Sequence, residues 1–166
     1  MSLSMYQASI PVLLRMYGNL AAILDKAEAF CTAKTIEPSA LLDARLAPDM
    51  YPLSRQVQMA SDLAKGCAAR LAGVEPPRYA DTESSFAELQ ARIAKTLEYL
   101  RSFTPEQVDS GAEREITLKF PSGELNFNGP DFLLHFALPN FFFHLTTAYA
   151  ILRHNGLDIG KMDYMG

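Results

Sequence analysis

The chain has 166 residues, 49% hydrophobic and 20% charged, with a formal net charge of −4. This composition predicts one soluble globular domain over residues 1–166, large enough for a core that needs no disulfide or metal staple. The mild acidity, with no basic stripe beyond Arg153-His154, argues against a nucleic-acid partner.

The opening MSLSMYQASIPVLLRMYGNL has no basic n-region and no small-residue cleavage pattern, so no secretion signal is expected. The longest apolar stretch, Leu138 to Leu152, is interrupted by Asn140, His144 and two threonines and is too short to span a bilayer. A cytoplasmic protein without membrane attachment is the expectation.

In chain order, the first helix spans roughly Ser4 to Ala33, with Leu13, Met16, Leu20, Ile23, Leu24, Ala27 and Phe30 at three- and four-residue spacing. Pro11 lies near its start, where a missing donor costs little. Ile36-Glu-Pro-Ser-Ala breaks the helix, and Ser39 caps a short turn through Leu42. The segment ARLAPDMYPLSRQ then reads as an ordered loop anchored by Leu46, Met50 and Tyr51. A second helix runs from about Ser54 to Leu71 on the stripe Val57, Ala60, Leu63, Ala64, Cys67 and Leu71. Gly73 and Pro76-Pro77 end it. The third helix starts near Thr82 or Ser84 and ends near Phe103, burying Phe86, Leu89, Ile93, Leu97 and Leu100. Thr104-Pro105-Glu106-Gln107 reads as a short capped turn.

The pattern then changes. REITLKFPSGELNFNG alternates at Ile116, Leu118 and Phe120 and again at Leu125 and Phe127, which predicts a β-hairpin with one apolar face packed on the helices. A helical turn is expected at Asp131 to Phe136, and the last helix from Pro139 to His154, stopped by Asn155-Gly156. Leu157, Ile159, Met162 and Tyr164 are the expected anchors of the tail. The fold class is therefore all-α dominated: a four-helix bundle with long connections and a small β-hairpin insertion.

Few residues carry chemistry. Asn140 and His144 are four apart on the last helix, so they share a face and could meet one polar ligand or one metal. A packed, hydrogen-bonded core histidine is the plain alternative for His144. Phe141, Phe142 and Phe143 read as core or interface mass, and Tyr149 points near His144 or elsewhere. His154 sits where it can meet the terminal helix carbonyls. Gln56 borders the apolar stripe and needs partners if buried. Gln58 and Asp62 are spaced for a modest surface pair, and Asp158, Lys161 and Asp163 for an ion cluster. Asp43 and Asp49 fall in a polar loop. Cys31 and Cys67 form no metal or redox spacing and read as buried free thiols. No phosphate loop, HExxH or GxSxG elbow is present.

The strings RLAPDMYPLSRQVQMASDLAKGCAARLAG, FALPNFFFHLTTAYAILRHNG and IGKMDYMG resemble an uncharacterised bacterial family related to the DinB/YfiT-like four-helix bundles, over nearly the whole chain. The resemblance implies that fold and a common tendency to pair as homodimers. Metal-binding relatives use three histidines, one near the start of the second helix and two spaced by four on the last. Here those places fall on Gln56, Asn140 and His144, so only His144 keeps the ligand type. Carboxamide oxygens are weaker donors than imidazole. The resemblance thus implies a degenerate site, no cofactor beyond a weakly held divalent metal (zinc, nickel or manganese), and a pocket at Gln56, Asn140 and His144. The favoured reading is a bundle that binds a small polar molecule or serves a structural role. The alternatives are a divalent-metal-dependent hydrolase or thiol transferase, with Asp49, Asp131 or His135 as further ligands, and a dimeric interaction module using Phe141–Phe143. Catalysis stays open.

Overall fold

The computed structural model describes residues 3–166. Its elements are α1 (Met5–Lys34), α2 (Pro38–Leu42), α3 (Leu53–Ala72), α4 (Phe86–Arg101), α5 (Pro105–Asp109), β1 (Glu115–Phe120), β2 (Gly123–Asn128), α6 (Gly129–Asp131), α7 (Leu138–His154) and α8 (Lys161–Met165). The four long helices make the bundle: α3 packs on α7 and α4, and α1 on α4 and α7. The expected stripes form its core, with Leu13, Leu20, Val57, Ala64, Leu71, Leu89, Ile93 and Leu145 all buried. Tyr17 sits at its centre, edge-on to Phe141 at 6.1 Å, its hydroxyl donating to the Val57 carbonyl at 3.0 Å. Cys31 and Cys67 are buried and unbridged, and burial pushes the Cys67 thiol up to about 12. No described helix is long and apolar enough to cross a membrane.

Local signals fix the helix ends. Ser4 and Gln7 exchange side-chain-to-backbone bonds in a capping box that starts α1, and Gly73, at φ 73°, stops α3 in a left-handed turn. Ser85 caps α4 through the Glu88 amide, slightly later than the expected start.

The last helix, α7, begins at Leu138, one residue from the expected start, and the expected helical turn precedes it. What the sequence does not show is their continuity: the chain is helical from Gly129, capped by Asn128, and reaches α7 through a wide π turn at Phe132–Ala137. A proline removes its own amide bond and crowds the carbonyl four residues back, and the backbone is widened into a π turn just before Pro139.

The hairpin pairs Ile116 with Phe127 and Leu118 with Leu125. Its apolar face is buried only near the bundle. Ile116 and Leu118 are covered, and Phe127 joins Phe132 and Phe136, whereas Phe120 and Leu125 near the turn are exposed. The hairpin's base approaches α3 backbone to backbone. A Cβ on Gly111 would lie 2.5 Å from the Leu71 carbonyl oxygen, and one on Gly129 would lie 1.9 Å from the Gly111 oxygen, so neither position admits a side chain.

Other surface expectations are corrected. Leu46 and Tyr51 are exposed, so the loop before α3 is held mainly by Arg45 on the Met50 carbonyl and by the Leu53 amide on the Ala44 carbonyl. In the tail, Leu157 and Ile159 are buried but Met162 is 75% exposed. Asp163 pairs with Lys26 of α1 and caps the Gly160 amide, so it does not cluster with Lys161 and Asp158.

Candidate functional site

Gln56 lies in the first turn of α3 and His144 in the middle of α7; both are buried where these helices pack. His144 Nδ1 and Gln56 Oε1 are 2.7 Å apart, and Gln56 Nε2 donates to the Tyr51 carbonyl at 3.0 Å. The second bond fixes the first. A carbonyl accepts only, so the amide nitrogen faces Tyr51 and the amide oxygen faces the imidazole. Nδ1 of His144 must therefore carry the proton, and Nε2 keeps its lone pair. Burial, aided by the Arg55 charge, lowers the His144 pKa and holds the ring neutral.

Asn140 lies one helical turn before His144 but serves a different surface. It is half-buried and forms no hydrogen bond with Gln56 or His144 among the described residues. It lines a groove of about 970 Å³ with Met59 and Leu63 of α3, the strand β1, Phe136 and the segment Gly73–Arg78. The structure thus joins Gln56 to His144 and places Asn140 in the lining of an open groove to which neither of them contributes.

The remaining sequence candidates lie apart. Asp131 and His135 face each other at 3.5 Å on an exposed helical face. Asp43 and Asp49 are exposed. The Tyr149 hydroxyl donates to the Ile159 carbonyl at 3.4 Å, so it faces the tail. His154 is exposed, and the terminal α7 carbonyl of Ile151 is met instead by the Asn155 amide side chain. Phe141 is buried, Phe142 half-buried and Phe143 exposed, its ring edge-on to His144 at 5.2 Å.

Among the described residues no three His, Cys, Asp or Glu side chains gather where they could hold a metal. The bond from Nδ1 leaves His144 in the tautomer of a metal-ligating histidine, with Nε2 as the donor atom. The other two donors of a three-imidazole site are lacking. Gln56 Oε1 is engaged by His144, and Asn140 offers a carboxamide on the groove side. This set does not fit a tightly held zinc or nickel ion.

A second polar constellation escapes sequence spacing. Arg92 of α4, 3% exposed, contacts Asp62 at 2.9 Å, Glu83 at 3.0 Å, Asp81 at 3.1 Å and the Ala80 carbonyl at 3.0 Å. Lys65 also pairs with Asp62, at 2.8 Å, and Arg55 pairs with Asp81. Gln58 is buried and donates to Glu83 at 2.9 Å, so Gln58 and Asp62 are not a surface pair with each other. Burial opposes the Arg92 charge, but Glu83, then Asp62 and Asp81, hold its pKa above the ordinary arginine value. Tyr79 lies under three cations, with Lys95 at 4.1 Å, Lys65 at 4.9 Å and Arg92 at 5.6 Å from its ring centre. The network pins the segment 79–83 onto α3 and α4. The same connection, at Gly73–Arg78, forms one wall of the groove.

Comparison with known proteins agrees with this architecture. A family described as a domain of unknown function (DUF1993) matches residues 5–165, and the chain belongs to it. The crystal structure of a DinB family member protein from Shewanella denitrificans is similar, with 42% sequence identity and a TM-score of 0.89. The match covers 97% of this chain and 91% of that one. No curated protein matches the chain at a significant level. The fold is a DinB-like helical bundle with a small two-stranded sheet.

Proposed function

We propose that this DinB-like protein binds a small polar molecule in the groove beside α3, with Asn140 as the α7 residue of its lining, and that the buried Gln56–His144 bond fixes how α3 and α7 pack next to it. The observation that carries the reading is the groove itself. Its volume of about 970 Å³ is at the upper end for small-molecule sites, and it mixes an apolar floor (Met59, Leu63, Ile116, Phe136) with converging polar groups. The donor chemistry of Gln56, Asn140 and His144 favours hydrogen bonding over metal chelation, so the reading rests on no resident metal.

A thermal-shift screen of small polar metabolites tests it, run on the wild type and on Met59→Trp. Met59 is a half-buried groove residue, so the indole would fill the groove while leaving the core alone. Ligands that stabilise the wild type and not the variant support the reading. Ligands that stabilise both equally place binding elsewhere and refute it.

Pairing of two copies is the second reading. It is favoured by Phe143 and Tyr51, 54% and 51% exposed, next to the buried Gln56–His144 bond. Aromatic residues suit interface centres. Sedimentation velocity tests it: a monomer at high micromolar concentration would refute pairing.

A further inference from the structure

We infer that the ligand of this groove is an amphipathic anion, a carboxylate, sulfonate or phosphate carried on an apolar body, read by the guanidinium groups of Arg70 and Arg78. This rests on the groove-binding reading above and names its ligand class.

Arg70 carries the argument. It is half-buried in the last turn of α3 and lines the groove. A basic residue there would ordinarily answer the negative end of the helix dipole. Arg70 does not. Its guanidinium lies back along α3 beside Gly66, close enough that a Cβ on Gly66 would sit 2.3 Å from Nη1. That is one turn away from the terminal carbonyls. The terminal role is taken by Arg114, whose Nε donates to the Leu71 carbonyl at 3.3 Å. Glycine inside a helix is less favourable than alanine. Here it clears the space in which the guanidinium lies.

That guanidinium has no carboxylate and no hydrogen-bond acceptor among the described residues, and neither has that of Arg78. A partly desolvated cation without a partner is unfavourable, and an anion received in a bidentate fork offsets that cost. Arg114 adds a third guanidinium, bonded only to neutral oxygens of Leu71 and Ser110. The acidic residues on the same wall do not neutralise them. Asp62 is held by Arg92 and Lys65, and Glu75 and Glu115 are exposed and form no ion pair with these arginines. The same lining carries Met59, Leu63, Ile116 and Phe136, which offer apolar surface to the body of such a ligand.

A matched pair of fluorescent probes tests this. 1-Anilinonaphthalene-8-sulfonate and N-phenyl-1-naphthylamine share one aromatic body and differ by the sulfonate. Titration into the folded protein should show the sulfonate binding at least tenfold more tightly. Arg70→Gln with Arg78→Gln should weaken it at least tenfold, and Arg101→Gln, an exposed cation on α4, should leave it within twofold. Arg78 is exposed, so R78Q alone, expected to weaken binding severalfold, serves if the double variant melts early. Equal binding of the two probes, no binding of the sulfonate, or sulfonate binding indifferent to both arginine variants overturns the inference. The groove reading is judged apart. If Met59→Trp blocks both probes while the arginine variants change nothing, the groove stands and the anion falls. If sulfonate binding is indifferent to Met59→Trp, the groove reading falls as well.

Discussion

Replacing Gln56 and His144 by leucine, singly and together, asks whether their bond is a structural pair or part of the binding surface. Gln56→Leu removes two hydrogen bonds, but the losses are unequal. The Tyr51 carbonyl belongs to an exposed residue and can turn to water. The imidazole, 7% exposed, is left with Nδ1–H facing a methyl group. An unsatisfied buried donor costs about 1–3 kcal/mol, and moving the proton to Nε2 keeps this case near the lower half, about 1–2 kcal/mol. His144→Leu strands the Gln56 oxygen, at 1% exposure with no such escape, and should cost about 2–3 kcal/mol. The double variant replaces both polar partners by apolar ones in an apolar setting. It should lose less than the sum of the singles by about 1–2 kcal/mol. Urea unfolding followed by circular dichroism supplies the three values. Additive losses would refute the reasoning, because they would mean that neither group depends on the other. Probe binding retained by a stable double variant would further make the pair purely structural.

Arg92→Met should lose about 3 kcal/mol in urea unfolding, the low end for breaking a buried ion pair, since Lys65 still answers Asp62 and Arg55 still answers Asp81. Adding Glu83→Gln should recover part of that loss; no recovery would contradict the assigned network. Leu145→Ala, at 1% exposure, should cost about 2–5 kcal/mol by the same assay. His144 has its pKa lowered in the fold, so the unfolded chain binds the extra proton first. Its contribution is complete above the ordinary histidine pKa of about 6.5 and is lost as pH falls from there towards the depressed folded value. Between pH 7.5 and 5.5 the wild type should therefore lose stability more steeply than His144→Gln, and parallel slopes would sink the assignment.

The bundle was legible because most of the apolar spacing of α1, α3 and α4 survives in the structure: Leu13 to Ala27 on the α1 stripe and Val57, Ala60, Ala64, Cys67 and Leu71 on α3 are buried, whereas Leu63 and Leu97 are half-buried. The start of the last helix was legible to within one residue, but its continuity with the preceding turn was not, because the π turn that joins them before Pro139 is a matter of backbone geometry that no side-chain pattern marks. Arg92 was hidden for another reason. Helical spacing puts it on the buried side with Leu89 and Thr96, but a lone arginine there reads as a solvated flank, because its partners come from a connecting segment whose path no local pattern encodes. Gln58 and Asp62 were misread as partners by the same blindness. The Gln56–His144 bond joins residues 88 apart in sequence, so resemblance to a family brought them together where periodicity could not.

The same bond makes a last prediction sharp. His144 already has its proton on Nδ1 and its lone pair on Nε2, and Gln56 holds it so. One further imidazole a turn away should convert this prearranged donor into a chelate. Asn140 is four residues earlier on α7 and half-buried at the groove, so Asn140→His fits without disturbing the core. Calorimetric titration with nickel should show the variant binding at least about tenfold more tightly than the wild type, about 1.4 kcal/mol. The gain should vanish in Asn140→His with His144→Ala. Two results would count against the site as described. A wild type that already holds one metal per chain, lost in His144→Ala, would mean that the carboxamides suffice as ligands. No gain in Asn140→His would mean that Nε2 is closed to the groove side, leaving His144 a packing residue whose only partner is Gln56.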